Sequence, residues 1–311
     1  MSMFKKTTLA LAISALAGGA LAQSAPAPAP APAPEKSPIT ANVTVVNDYR
    51  YRGISQSNFK PAIQGGFDYA HESGFYIGNW NSSISWIGDA NGANGAVGGK
   101  GSQGTSVSAP IEMDFYAGFK KELIGEGFAS DIGVLQYYYP SSGIYNTPGS
   151  PKTNPAYFVN PNTTEIYVAQ NFTFGALTGF VKFSYAVSPL FGNPSSQGSY
   201  YPDLTLNYDT GIWGLTLNGH VGYQYIAGNY KTSATYYNGT DTIPNGTSLN
   251  SVLGYTDWKL GLTKDFGGGL SLAVSYVDTN AKTVKGYPAY SSPQGKNLGR
   301  AGGLVALTKT F

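Results

Sequence analysis

The sequence predicts an all-β protein: a transmembrane antiparallel β-barrel of about twelve strands, with short turns at one end and long loops at the other. Three observations predict it. Apolar residues recur with a period of two almost everywhere after Ile39; the connections alternate between short and long; and aromatic residues gather at both strand ends. Composition removes the competing classes. Of 311 residues none is cysteine, which excludes a disulfide scaffold, a thiol nucleophile, a cysteine-ligated zinc site and an iron–sulfur cluster. A net charge of +2 without a basic cluster argues against nucleic acid as a partner. Helical membrane spans need apolar runs of about 18 residues, and a mean hydropathy of -0.16 speaks against several of them. Only 12% charged residues alongside 41 glycines and 24 tyrosines is also unlike an ordinary cytosolic enzyme.

The elements follow in chain order. Lys5 and Lys6 precede an apolar stretch, Leu9 to Ala17, which runs into the small-residue box Ala20-Leu21-Ala22. This is the layout of a cleaved signal peptide over residues 1–22. Its removal leaves 17 basic against 17 acidic residues, so the mature chain is formally neutral. Residues 23–38 are Ala/Pro-rich. Alternating proline forbids both helix and ladder pairing, and Pro26 to Pro38 as polyproline II would span roughly 40 Å. This segment is expected to be a periplasmic spacer, with docking to a periplasmic or cell-wall partner as the alternative.

The barrel is expected over 39–311. The alternating segments are 39–52, 61–72, 74–86, 111–123, 128–139, 162–174, 176–189, 199–210, 212–227, 252–266, 270–282 and 301–311. In 111–123, Ile111, Met113, Phe115, Ala117 and Phe119 share one face, opposite Glu112, Asp114, Tyr116, Lys120 and Glu122. In 74–86 the directions of Asn79 and Trp80 stay open. A soluble sandwich also has two-faced strands, so the connections decide. Ser73-Gly74, 124–127, Gly175, Gly211 and Gly267-Gly268-Gly269 are short; 53–60, 87–110, 140–161, 190–198, 228–251 and 283–300 are long. Such alternation is what an outer-membrane barrel shows. Tyr69, Phe75, Phe119, Phe128, Phe172, Phe174, Trp213 and Phe266 lie near the short turns, whereas Tyr49, Tyr51, Tyr137, Tyr138, Tyr139, Tyr200, Tyr201, Tyr223, Tyr225 and Tyr255 lie near the long loops. Two bands read as interfacial girdles. The last strand ends on Phe311, which resembles the C-terminal signal read by the barrel-assembly machinery.

The words Tyr49-Arg50-Tyr51-Arg52-Gly53-Ile54-Ser55-Gln56, Pro61-Ala62-Ile63-Gln64-Gly65-Gly66-Phe67-Asp68-Tyr69 and His71-Glu72-Ser73-Gly74-Phe75-Tyr76 resemble the TorF-type family of porin-like proteins of proteobacterial outer membranes. The verbal match covers about residues 40–80; the rest agrees in length, strand pattern and ending. The resemblance implies an outer-membrane barrel acting as a channel, and it brings neither substrate nor catalytic residues.

Twelve tilted strands give a backbone diameter of roughly 24 Å, of which side chains remove about 10 Å. The polar faces supply the expected pore lining: Asp48, Arg50, Arg52, Asp68, Glu112, Asp114, Lys120, Asp131, Glu165, Lys182, Asp203, Asp209, His220, Asp257 and Lys259. Acids outnumber bases, which predicts a mild cation preference. Arg50 and Arg52, placed on strand one, either form an anion-attracting track near the outer mouth or pair with Asp48, Asp68 or neighbouring acids. Loop 87–110 is the best candidate for folding inward.

Chemistry has little support. Gly99-Lys100-Gly101-Ser102-Gln103-Gly104 fits G-x-G-x-x-G without the strand and helix a dinucleotide site needs. Asp89, Asn91 and Asn94 lack the later acid of a calcium loop. His220, mid-strand beside Ser and Thr on neighbouring strands, is the one anchor for a hydrolase, and no G-x-S-x-G or H-E-x-x-H accompanies it. No cofactor, metal or catalytic residue is expected. The partners expected are outer-membrane lipid, the barrel-assembly machinery and small polar solutes. Passive diffusion through the outer membrane of a Gram-negative bacterium is the functional expectation, with a closed-lumen structural or recognition barrel as the alternative.

Overall fold

A computed structural model describes residues 37–90, 108–142, 159–231, 233–235 and 242–311. Twelve antiparallel strands close one barrel. They are β1 Ile39–Val46, β2 Ala62–Ala70, β3 Phe75–Ser83, β4 Ile111–Gly125, β5 Phe128–Tyr138, β6 Thr163–Phe174, β7 Leu177–Ala186, β8 Tyr200–Asp209, β9 Leu215–Gln224, β10 Tyr255–Asp265, β11 Leu270–Thr279 and β12 Gly302–Thr310. Each expected strand has one counterpart, and each strand pairs with its sequence neighbours. Closure comes from β1 against β12, from Asn42 opposite Thr310 to Val46 opposite Ala306.

Alternation turns this barrel inside out relative to a soluble one. Ile63, Ile132, Val181 and Leu260 are all more than half exposed on the outer face, while Glu112, Glu165 and Asp257 are buried inside. A continuous apolar exterior is stable only in lipid, where a closed sheet also satisfies every backbone group. No described helix is long and apolar enough to cross a membrane; the strands make the crossing. Short turns join β2–β3, β4–β5, β6–β7, β8–β9 and β10–β11. The last of them needs its three glycines, since Gly267, Gly268 and Gly269 adopt φ of 80°, 58° and 80°. Phe75, Phe119, Phe174, Trp213, Phe266 and Phe311 stand exposed around this end. The chain enters β1 here too, where Ala70 N donates to Pro38 O at 2.9 Å.

The opposite band departs from expectation. Tyr49, Tyr137, Tyr139, Tyr201 and Tyr255 are buried, and Tyr138 is exposed. Parity explains the split: neighbours of an outward tyrosine point inward, so most of the expected outer girdle is lumen filling. Trp80 also turns inward, edge-on to Tyr49 with ring centroids 5.5 Å apart. Asn79 takes the outward side, donating to Asp114 O at 3.0 Å and accepting from Asn81 at 2.6 Å.

Strand one is shorter than its pattern implies. The Asn47 side chain accepts from Val305 N at 2.8 Å and donates to Gly303 O at 3.0 Å, replacing ladder bonds with side-chain ones. The Asn47 backbone still donates to Val305 O at 3.2 Å, and the chain leaves the wall after it. Residues 47–61 fold into the bore, with Arg50–Tyr51 pairing against Ile54–Ser55. Short helices α1 Trp86–Ala90 and α2 Leu249–Leu253 belong to other long loops. Tyr49, Trp80, Ile87, Leu135, Tyr137 and Tyr139 pack with Trp86 and Phe191 into one cluster in the long-loop half of the barrel. The described inward element is therefore the first long loop. Most of 87–110, residues 91–107, lies outside the described residues, and so do the Gly99–Gly104 string, Asn91 and Asn94.

Candidate functional site

The site is the bore, and the hairpin 47–61 narrows it. Its tip, Arg52 and Gly53, has φ of 45° and 78°. Asp48, Arg50 and Arg52 lie on this hairpin instead of on strand one, because the ladder stops at Val46. Asp48 is the hairpin's internal acceptor, receiving Arg50 Nε at 2.5 Å, Ser55 Oγ at 2.6 Å and Ser57 Oγ at 3.2 Å. Arg50 then donates through Nη1 to the carbonyls of Gly53, Leu298 and Arg300 at 2.9, 3.2 and 3.0 Å. It pins the hairpin to the last long loop.

Arg52 does something different. From the β1 side it reaches across the bore to Glu165 on β6, with Nη2 at 2.7 and 3.0 Å from the two carboxylate oxygens. Nη1 donates to Gln224 Oε1 on β9 at 2.6 Å. The guanidinium lies over the rings of Tyr51 and Tyr201, 4.8 and 4.2 Å from their centroids. Its Nε has no partner. Burial alone would ease the proton off Arg52, but the Glu165 carboxylate together with the Tyr51 and Tyr137 phenols outweighs it and holds the pKa well above the usual arginine value. Arg50 and Arg52 therefore do not share a face or form a common track.

Most lumen acids meet a phenol. Glu112 accepts Tyr49 Oη at 2.5 Å and Tyr139 Oη at 2.8 Å. Burial, then the nearby Glu112 carboxylate, pushes both of these loop phenols well above their ordinary pKa, keeping them protonated donors. Asp68 accepts from Tyr116, and Asp131 from Tyr76 at 2.6 Å, with Tyr76 in turn bonded to Tyr167. Asp257 accepts from Tyr201 at 2.8 Å. Asp114, 2% exposed with Oδ1 unpartnered, and Asp203 accept from no phenol. His220 sits 3.1 Å from Asp257 Oδ1 and 2.9 Å from Tyr201 Oη through Nε2, 3.0 Å from Thr205 Oγ1 through Nδ1, and 3.9 Å from Asp203. Lys120 faces the bore toward the short turns, while Lys182 and Lys259 stand near the middle of their strands. Asp209 is exposed at the short-turn rim, where it accepts Gly211 N at 2.9 Å.

Sequence reasoning placed Tyr116 and Gln224 on polar faces without naming them as pore lining, and it missed the lumen role of Tyr76, Tyr167 and Tyr201. A signal existed: Asp114 and Tyr116, Glu165 and Tyr167, and Tyr201 and Asp203 stand two apart, so each acid shares the inward face with a phenol. Trp86 and Phe191, which pack against the aromatic cluster from loops, left no such signal.

The fold has relatives among solved structures. The chain is similar to a KdgM porin at 6% identity and a TM-score of 0.44, covering 88% of this chain and 97% of that one. It is similar to a NanC porin at 10% identity and a TM-score of 0.48, covering 87% and 98%. It is also similar to OprD of Pseudomonas aeruginosa at 12% identity and a TM-score of 0.37, covering 89% and 67%. No curated protein matches it in sequence. Residues 31–311 match the model of a family described as a bacterial protein of unknown function, Gcw_chp, and the chain belongs to that family.

Proposed function

We propose that this barrel is a porin-like channel of a Gram-negative outer membrane, passing small polar solutes or ions passively through a bore narrowed by the hairpin 47–61. One observation carries the reading: a closed sheet with an apolar exterior encloses ionisable side chains from nearly every strand between β4 and β10. A structural wall has no need of so many buried charges, each costly to desolvate, whereas a wetted path does. In this reading the inward residues from Asp48 to Lys259 line the path, and rings of charge bias which ions enter. The wording of residues 49–76 supports kinship with the TorF-type porin-like proteins. The N-terminal layout supports a signal peptide cut after Ala22 and a periplasmic spacer over 23–38, and the ending at Phe311 supports delivery by the barrel-assembly machinery.

The protein is read as a carrier of no chemistry. Thr205, His220 and Asp257 line up as a nucleophile, base and orienting acid would. Thr205 sits mid-strand on β8, however, where backbone N–H groups are committed to the ladder and none is turned to hold an oxyanion.

The test is single-channel recording of the detergent-refolded mature chain in a planar bilayer. Discrete, reproducible steps are expected. A second reading has its own observation: the hairpin and the aromatic cluster fill the long-loop half of the bore, as a closed recognition barrel would require. A folded barrel that stays silent, with and without the Arg52 contact, establishes that reading instead.

A further inference from the structure

Charge is divided between the two ends of the barrel. The six long segments between strands, 47–61, 84–110, 139–162, 187–199, 225–254 and 280–301, hold ten Lys and Arg against three Asp. The five short turns hold Glu72 and Glu126 and no Lys or Arg. Because the mature chain is formally neutral, the basic end is balanced by acids in the wall and at the other end.

Exposure sharpens the division. Among the described loop residues, Lys60, Lys231, Lys282, Lys285, Lys296 and Arg300 are exposed, whereas the loop acids Asp48 and Asp89 are buried. All six cations belong to the first, fifth and last long loops, which touch one another. Asn58 Nδ2 donates to Gln294 Oε1 at 3.2 Å, Ser55 N to Leu298 O at 3.0 Å, and Tyr290 Oη to Leu253 O at 2.8 Å. Asp278, at the long-loop end of β11, accepts from Tyr276 Oη at 3.0 Å and Thr279 N at 2.8 Å. Counted at full charge, it offsets one of the six.

Three of the cations sit where the wall meets the loops. Lys60 stands two residues before β2, Arg300 two before β12 and Lys282 three after β11, and these strands are consecutive around the barrel with β1 among them. The Arg300 guanidinium lies 4.4 Å from the ring centroid of Phe59, the residue before Lys60, so these two loop ends are drawn together. Lys282 gives two of its three donors to Asn250 O and Ser251 O at 3.0 and 2.9 Å, which fixes it in place with one to spare. Below them, in the long-loop half of the same four strands, Tyr276, Val305, Val45 and Ile63 are exposed on the outer face. Cations at headgroup level above an apolar wall match a lipid that carries phosphate.

A dissolved anion fits less well. Just inside the mouth, Glu112, Asp114, Glu165, Asp203 and Asp257 each stand within the first four residues of their strands. An anion drawn to the loops meets that acid-rich zone next, and like charge opposes its entry. A lipid outside the wall meets none of it.

We infer that the arc over β11, β12, β1 and β2 docks a phosphorylated glycolipid of the outer leaflet. Lys60, Lys282 and Arg300 hold its phosphates, and the outward apolar wall takes its acyl chains. The inference rests on the outer-membrane reading for the leaflet that the long loops face, and it does not require the bore to conduct.

Equilibrium binding of radiolabelled diphosphoryl lipid A to the full mature chain, folded in a non-ionic detergent, tests it. Saturable binding is expected, weaker for the same lipid stripped of both phosphates, and weaker in high salt because exposed charges are screened. K60Q/R300Q should weaken binding about 25-fold, at about fivefold for each cation removed beside an anionic headgroup. Lys121→Gln, exposed toward the short-turn end of β4, should leave it unchanged. If the double variant fails to fold, Lys60→Gln alone carries the test with a loss of about fivefold. Equal binding of the stripped lipid, or unchanged binding in the loop variants, overturns the inference. Inorganic phosphate that competes as well as unlabelled lipid A assigns the surface to a dissolved anion and overturns it too. A barrel that binds the lipid through these residues yet stays silent in the bilayer, with and without Arg52→Ala, keeps the lipid site and refutes the channel.

Discussion

At the scale of single residues, Arg52 decides how wide the bore is. Its guanidinium joins the hairpin to β6 and β9 through Glu165 and Gln224, with both members of the ion pair at most 4% exposed in their side chains. Removing one partner from a buried pair leaves the other charged and unsolvated, at a cost of about 3–5 kcal/mol. Arg52→Ala is therefore expected to lower the midpoint of urea unfolding and to raise single-channel conductance, because the hairpin loses its far-side anchor. Arg52→Lys keeps the charge but cannot serve Glu165 and Gln224 together as a planar fork does, so it should fall between the two. Equal conductance in all three proteins would remove Arg52 from the constriction. Tyr201 gives a second residue-level case. Tyr201→Phe deletes the donor to Asp257 at 2.8 Å, and an unpaired buried acceptor costs about 1–3 kcal/mol. The variant should be destabilised by that amount in equilibrium unfolding, with the released carboxylate shifting selectivity toward cations.

At the scale of elements, the hairpin 47–61 is strained and the strands are not. Arg52, Asn58 and Phe59 all hold positive φ without being glycine, at 45°, 53° and 60°. Such conformations persist only where surrounding contacts over-determine them, at about 1–3 kcal/mol each. Gly53 is the tight point: with φ 78°, a methyl group placed on it would stand 2.8 Å from Asp257 Cβ and press on Thr279. Gly53→Ala is expected to unseat the hairpin while the barrel stays folded, seen as more frequent high-conductance openings with an unchanged β-sheet circular dichroism signal. A variant that conducts like the wild type would show that the hairpin is no gate. The strands manage their own polar residues. On the outward side Ser130 donates to Gln170 at 2.8 Å, Thr164 to Gln136 at 2.6 Å, and Asn81 to Asn79 at 2.6 Å. These groups are thus satisfied pairwise, across neighbouring strands or along one strand, which lowers the cost of turning them toward lipid.

At the scale of the whole molecule, closure is the decisive event. β12 must find β1 across the full length of the chain, and Leu270 through Val277 must hold its other edge. Until that happens both edges are unpaired in a medium that offers no hydrogen bonds. Phe311 follows β12 at the short-turn rim, 72% exposed and held by the exchange of Phe311 N with Ala41 O at 2.8 Å. Deleting Phe311 should reduce insertion into membranes that contain the barrel-assembly machinery, while refolding in detergent proceeds to the same heat-modifiable band. Equal losses in both settings would make Phe311 a packing residue and not a signal.

The sequence by itself determined the class of fold, the number of strands and their order, since a period of two, alternating connections and an aromatic ending are local patterns that survive without knowing any partner. It also determined which side of most strands is polar, as Ile111 to Leu123 illustrate, though not in 74–86, where Asn79 and Trp80 stayed open. Strand ends were less legible: β1 stops at Val46 only because Asn47 meets Gly303 and Val305, more than 250 residues away. The girdle of tyrosines near the long loops was misjudged for the same reason, because a ring at a strand end belongs to lipid or lumen according to parity and to what fills the bore. Tertiary structure alone decided that the first long loop folds into the bore, that Arg50 ties Asp48 to loop carbonyls while Arg52 spans to Glu165, and that phenols donate to most of the lumen acids. Counting charges along the chain cannot reveal this, because the partner of each charge is a neighbour brought to it across the barrel.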